Sequence, residues 1–406
     1  MERAEIEEEP LIFRKVLNWA LLNWSLDDWK TVLSDEKMSF RSGVLQKTSE
    51  PQWERTTESF DENFEFFLKH SQQGDHPKWL YFDYKYMKDC SPNLDKLRNE
   101  INWKSLGLAD VGADDSTIWI GSKGAHTPCH MDTYGYNVVC QLYGRKLWLL
   151  FPPNENLQPT RIPYEESSIY SKLNFFSPDC NDFRYFREIT TCKKIILEPG
   201  DVLRVPNKWW HYVENLETSI SLNVWLPKPQ DDEERLKESI VQFLVKQLSD
   251  IEESKQILNP NMEDVSNNYI KMSHRSKTLK LYWVILSNSS RSILDIVKQT
   301  FTVCQNRTSK STHKRQRTES IDVNSGENLL LSKEDGTPYE FELIPTLPKQ
   351  EFYLFMHQQN DKFAGSNIDG ENTSTLSAST SINSKLLNAL THPEVIELIK
   401  DKLLNE

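Results

Sequence analysis

Cysteine is scarce and unpaired in this chain. Six occur in 406 residues, Cys90, Cys129, Cys140, Cys180, Cys192 and Cys304, and no two stand as CxxC or at zinc-ribbon spacing. A cysteine-built zinc module and a disulfide framework are therefore excluded, and the thiols are expected to stay reduced. Long apolar runs are missing as well. The longest, Leu281 to Leu286, falls far short of the roughly 20 residues that a membrane span needs. The amino-terminal stretch MERAEIEEEP is acidic and lacks the positive start and apolar run of a secretory leader, so a cytoplasmic protein is expected, with the nucleus as the alternative. Positive charge is in deficit, with 48 Lys and Arg against 60 Asp and Glu for a net charge of -12. That balance argues against a broad phosphate-binding surface, because such surfaces rest on Lys and Arg. No internal repeat is present.

Aromatic residues are plentiful by contrast. Twelve Trp and 18 Phe can build a large core, enough for one large domain or two medium ones. Residues 1–10 read as an acidic tail. Pro10 to Phe13 reads as a strand, Ser25 as the N-cap of a helix, and Ser59 to Lys69 as a second helix with Phe60, Phe64, Phe67 and Leu68 on one face. Trp79 to Tyr84 reads as another strand.

From Thr117 to Pro227 the text changes to short β-rich runs punctuated by Gly and Pro. The runs are Thr117 to Ile120, Tyr136 to Leu142, Lys146 to Phe151, Lys193 to Leu197, Val202 to Val205, Tyr212 to Val213 and Ser219 to Trp225. Gly144 marks a hairpin. Strands at this spacing, with no long helical pattern between them, predict an antiparallel sandwich or barrel. Residues 154–190 read as an insert crossing one face of it. The expected division is a tail (1–10), a β domain with an N-terminal α/β elaboration (11–227), a helical region (228–303), a polar and partly disordered linker (304–384) and a terminal helix (385–406).

One stretch carries chemistry. In an extended strand, residues i and i+2 face the same side. His130 and Asp132 in TPCHMD can therefore present an imidazole and a carboxylate to one point. His211, in KWWHYVEN after the Pro199-Gly200-Asp201 turn, is the candidate third ligand. Two His and one carboxylate leave up to three positions open on a metal, the arrangement of non-haem Fe(II) oxygenases. Trp209 and Trp210 are expected to wall the site. His126 is expected to be a structural histidine and Cys129 to point away from the metal.

The stretches STIWIGSKGAHTPCHMD, GRKLWLLFPP, PTRIPYEESSIYSKLN, PGDVLRVPNKWWHYVE and SISLNVW together resemble the JmjC family, over residues 10–230. The likeness is to its small hydroxylases, whose members act on a protein asparagine and on a tRNA base. The resemblance implies a double-stranded β-helix, the cupin jelly roll, flanked by N-terminal helices and a C-terminal helical region. It implies Fe(II) as cofactor and 2-oxoglutarate as cosubstrate. By motif position, Thr127 supplies a hydroxyl and Lys146 a cation to the far carboxylate of 2-oxoglutarate. Strand parity alone leaves Arg145 and Lys146 open as the inward residue. Asn137 and Asn223 match further pocket positions, and Tyr81 is an expected neighbour of the far carboxylate.

Three functions follow as expectations. The first is an oxygenase acting on a protein side chain. The second is a hydroxylase of tRNA, to which the basic run Thr308 to Thr318 would lend itself. The third is a binding protein that keeps the fold and associates with a small heat-shock protein in the stress response. The family also implies a homodimer through C-terminal helices.

Overall fold

The computed structural model describes residues 8–73, 76–91, 94–228, 231–248, 331–363 and 387–405. The predicted helix within 277–301, the basic run Thr308 to Thr318 and the polar stretch 364–384 lie outside these described residues. The described residues fall into two compact units, one within Met1–Gln158, Tyr170–Lys228 and Gly326–Asn372, the other within Pro159–Ile169, Pro229–Ser325 and Thr373–Glu406.

The first unit opens with β1 (Leu11–Phe13), α1 (Leu26–Val32), β2 (Met38–Val44), β3 (Glu58–Glu62), α2 (Phe64–Gln72), β4 (Lys78–Tyr86) and α3 (Asp95–Glu100). Ser25 caps α1 in a reciprocal box with Asp28, as its sequence position predicts. The stretch 59–69, by contrast, is not one helix. Its first residues form β3, with Phe60 directly opposite Phe40 of β2, and the helix begins only after Asn63. The Asn63 side chain accepts from Phe66 N at 2.9 Å, which fixes that boundary.

The strands that follow are β5 (Thr117–Gly121), β6 (His126–Asp132), β7 (Tyr136–Tyr143) and β8 (Lys146–Phe151). The stretch 154–190, read from the sequence as an insert, contains β9 (Pro159–Glu165), β10 (Ser168–Ser171) and the short helix α4 (Asp182–Phe186). Then come β11 (Lys193–Leu197), β12 (Val202–Pro206), β13 (Trp210–Asn215) and β14 (Ser219–Leu226). Residues 331–363, read from sequence as part of a polar linker, also fold. They supply β15 (Glu342–Leu343) and α6 (Lys349–Asp361) to this unit. Their buried anchors, Leu331, Ile344, Phe352 and Met356, are too widely spaced to show a period in the sequence.

A large sheet runs β15-β1-β12-β7-β14-β5-β4-β2-β3, and a smaller one within the unit runs β11-β8-β13-β6. The pairings are antiparallel. Val139, Leu203 and Val205 of the large sheet meet Trp148, Leu150, Ile195, Leu197 and Val213 of the small one in a single buried cluster. This is the double-stranded β-helix of a cupin, two sheets closed face to face as a jelly roll. The outer face of the large sheet packs Ile118, Ile120, Val138, Cys140 and Leu222 under the N-terminal helices. Gly144 turns β7 into β8 at φ 63°, and a Cβ there would lie 2.0 Å from Thr218 O. Asp201, of the Pro-Gly-Asp turn, ties β1 to the barrel: it is fully buried, pairs with Arg14 at 2.6 Å and accepts from Lys15 N at 3.1 Å.

The second unit joins β9 to α5 (Asp231–Leu248) and α7 (Pro393–Asn405). Tyr164, Ile240, Val241, Val245, Leu387 and Ile396 form its core. Buried Arg161 pairs with buried Glu238, and Lys400 bridges Glu233 and Glu397. Among the described residues no helix is long and apolar enough to cross a membrane.

Candidate metal and cosubstrate site

The site begins with an irregularity. β13 pairs with β6 through His211 opposite His130 and then Val213 opposite Thr127, so β6 carries one extra residue there. Such a bulge shifts the alternation of side chains. Strict alternation would point Thr127 away from His130. The extra residue, at Pro128–Cys129, returns Thr127 to the face that holds His130 and Asp132. Proline suits this place, since it has no N–H to give the ladder. Cys129 is buried on the other face.

His130, Asp132 and His211 come together, all buried, with one potential ligand atom from each within 4.8 Å of the others. His130 Nε2 lies 3.9 Å from Asp132 Oδ1. That is within the span of two atoms each about 2.1 Å from one shared ion. The ring orientations are fixed from behind. His130 Nδ1 donates to Pro128 O at 2.9 Å and His211 Nδ1 to Trp209 O at 3.0 Å, which leaves both Nε2 lone pairs facing the common point. Burial, and then the neighbouring His130, hold the His211 imidazole down to about 4, so it is neutral at pH 7, the form that binds a metal. Trp225 Nε1 donates to Asp132 Oδ2 at 3.1 Å, occupying one carboxylate oxygen and freeing the other. The donor set, two imidazoles and one carboxylate on one face, fits Fe(II).

A second cluster lies further along the same inward faces. Lys146 is 2% exposed, and its Nζ donates to Ser221 Oγ at 2.7 Å and to Tyr81 OH at 3.4 Å. Tyr81 also shares a hydrogen bond with Thr127, and burial raises its pKa. Burial pushes Lys146 down to about 7, with Asp83 opposing. Arg145, the other inward candidate, pairs with Glu217 at 3.1 Å on the exposed side. Asp83 itself is held by buried Arg41 at 2.7 Å, whose guanidinium lies over the Trp79 and Tyr81 rings.

Asn223 stands on β14 between Ser221, which meets Lys146, and Trp225, which meets Asp132, and Asn137 is its partner on β7. Asn223 Nδ2 donates to Asn137 Oδ1 at 2.8 Å, and Trp119 Nε1 donates to Asn223 Oδ1 at 2.7 Å. Alternate residues of β14 thus form one polar ladder: Ser219 against Gln141, Ser221 against Lys146, Asn223 against Asn137, Trp225 against Asp132. Ser221 and Trp225 were not singled out from the sequence. The period-two reading of SISLNVW, with polar or indole groups at every second position, was the available signal.

The aromatic wall differs from expectation. Trp148 stacks on His211 at 5.7 Å, and Tyr170 lies 5.9 Å from His130. Trp209 packs with Trp148 and donates from its indole to Glu8 O, while Trp210 alternates to the opposite face of β13. At the other side of the triad, Tyr84 stacks on Trp225 and meets Trp119 edge-on. Tyr84 sits at φ 59°, in the bulge where β4 slips against β5. A non-glycine residue is seldom found there, and such positions gather at functional sites. His126 takes no part: it stacks on Phe176 at 4.0 Å, donates to Gly124 O, and burial holds it down to about 3.

The family comparison agrees with this geometry. The model of the cupin-like domain matches residues 2–232, and the chain belongs to that family, in its JmjC branch. Among its relatives is HSPB1-associated protein 1 of Bos taurus, 32% identical over 368 residues, which are 85% of this chain and 75% of that protein. The Homo sapiens protein of the same name is 39% identical over 253 residues, 59% of this chain and 52% of that one, so the match spans about half of the human relative. Lysine-specific demethylase 8 of Xenopus tropicalis is 34% identical over 122 residues, 29% of this chain and 27% of that protein.

Proposed function

We propose that the protein is an Fe(II)- and 2-oxoglutarate-dependent oxygenase that hydroxylates a protein side chain. His130, Asp132 and His211 would hold the metal. Thr127, Tyr81 and Lys146 would hold the far carboxylate of 2-oxoglutarate, with Asn137 and Asn223 lining the space between. With iron and 2-oxoglutarate bound, the chemistry would be the four-electron reduction of O2, one oxygen atom entering succinate as 2-oxoglutarate loses CO2 and the other entering the hydroxyl of the substrate. The chain's own part is to orient both and to keep water out with Trp119, Trp148 and Trp225.

The observation that carries this reading is Lys146. A buried ammonium whose hydrogen bonds go to two neutral hydroxyls, those of Ser221 and Tyr81, is costly unless an anion joins it. A dicarboxylate reaching from the triad meets that need. The test is succinate release from 2-oxoglutarate under air with Fe(II) and a cell extract as substrate source. Release above the level of an Asp132→Ala control supports the reading; equal release from both removes it.

A second reading is favoured by the name of the relatives, which records association with HSPB1. On that reading the chain binds a small heat-shock protein, in the cytoplasm, whether or not it turns over. Co-sedimentation of the full chain with purified HSPB1 tests it, and no complex at micromolar concentrations would count against it.

A further inference from the structure

Asn215 ends β13, four residues after His211, and has no role in the site as described so far. Its main chain is fully used: the N–H donates to Ala125 O at 2.9 Å and the carbonyl accepts from Gly124 N at 2.8 Å. Its side chain is not. The residue is 1% exposed, and neither Oδ1 nor Nδ2 has a hydrogen-bond partner among the described residues. Burying an amide with both ends unpaired works against folding, so its retention needs a reason.

Its position supplies one. Asn215 lies on the same face of β13 as His211 and Val213. In the β13–β8 ladder it is directly opposite Lys146, and side chains so paired on one face are immediate neighbours. Across the barrel is Gly121. A Cβ on Gly121 would lie 2.0 Å from Asn215 Nδ2 and 2.8 Å from Tyr81 Cδ2. The amide therefore occupies the notch left by the missing side chain, against the ring whose hydroxyl reaches Lys146.

We infer that Asn215 belongs to the anion end of the pocket, where its amide donates to the far carboxylate of a 2-oxo dicarboxylate and helps to select acids of that length. The inference rests on the reading of the site proposed above. A carboxylate offers about four acceptor sites. Thr127, Tyr81 and Lys146 can fill three, and Asn215 supplies a fourth donor without adding charge beside a lone cation. Gly121 is the companion of this arrangement, since any side chain there would displace the amide.

The test compares binding of 2-oxoglutarate and of 2-oxobutyrate, which lacks the far carboxylate, to the Mn(II)-loaded full chain by calorimetry. Asn215→Leu, of nearly the same shape, should weaken 2-oxoglutarate on the order of tenfold or more while leaving 2-oxobutyrate and Mn(II) affinity unchanged. Its thermal midpoint should not fall, because an unpaired buried amide is replaced by an apolar group. Asn215→Asp, the nearest shape of all, sets a carboxylate beside Lys146 and should abolish 2-oxoglutarate binding. Unchanged 2-oxoglutarate affinity in either variant overturns the inference. Wild-type protein that binds Mn(II) but shows no preference for 2-oxoglutarate over 2-oxobutyrate overturns the reading of the pocket itself, and this inference with it.

Discussion

Lys146 donates to Ser221 at 2.7 Å across the β-barrel interior, and among the described residues no carboxylate lies within ion-pairing distance of it. A cation left with neutral hydroxyls is a site waiting for an anion, and its removal should be informative. Lys146→Met should weaken 2-oxoglutarate binding by about 1.5–3 kcal/mol, the worth of a hydrogen bond to a charged group. The folded protein should lose no stability, because an uncompensated buried charge goes with the change. Calorimetric titration and a thermal melt on the same sample check both halves.

The same lysine sets a pH dependence. Its folded pKa, lowered by burial to about 7, lies below the ordinary value near 10.5. Between those values the unfolded chain holds more protons at this position than the folded one, so the ligand-free protein should gain stability from this group as pH rises from about 7 to 10.5. Binding of a dicarboxylate favours the protonated form. Affinity for 2-oxoglutarate should therefore fall as pH rises above about 7, and Lys146→Met should flatten that fall. Binding isotherms between pH 6 and 9 measure it.

At the triad, Asp132 gives one oxygen to Trp225 and faces His130 with the other. Asp132→Ala should lower Fe(II) or Mn(II) affinity by more than the 10–100-fold typical of losing a supporting partner. Trp225→Phe, which removes only the indole donor, should fall within that range. Metal titration followed by electron paramagnetic resonance of Mn(II) distinguishes the two.

Glu214 offers a test of the late segment. Its carboxylate is buried and receives Lys362, Gln359 at 2.9 Å and Tyr212 at 3.0 Å, so α6 is latched to β13. Lys362→Met leaves that carboxylate without its cation and should cost about 1–3 kcal/mol, less in high salt because Lys362 is partly exposed. Urea denaturation measures the loss.

The sequence made some parts of this arrangement readable and concealed others for physical reasons. His130 and Asp132 stand at a spacing that any strand would bring to one face, and the Pro-Gly-Asp turn announces the strand that brings His211. Thr127 could not be placed by parity, because the bulge at Pro128 reverses it. Arg145 and Lys146 are chemically alike in sequence, and only packing against Ser221 and Tyr81 separates them. Asn215 has no motif at all; its interest comes from a glycine 94 positions earlier. The strand β3 was hidden inside an apparent helix, because Phe60 satisfies a helical stripe as well as a cross-strand pair with Phe40.

The ordering of strands in the large sheet has a consequence for synthesis. β1 leaves the ribosome first, yet its two neighbours are β12 and β15, centred on Leu203 and Glu342. The edge of residues 11–13 must wait, unpaired, for about two hundred further residues and then for a partner more than three hundred away. A chain with such distant pairings folds slowly and exposes strand edges meanwhile. The large sheet is thus completed only once residue 343 has been made, and a nascent chain stopped after the cupin strands would present the open edge of β1 and the bare face that α6 covers.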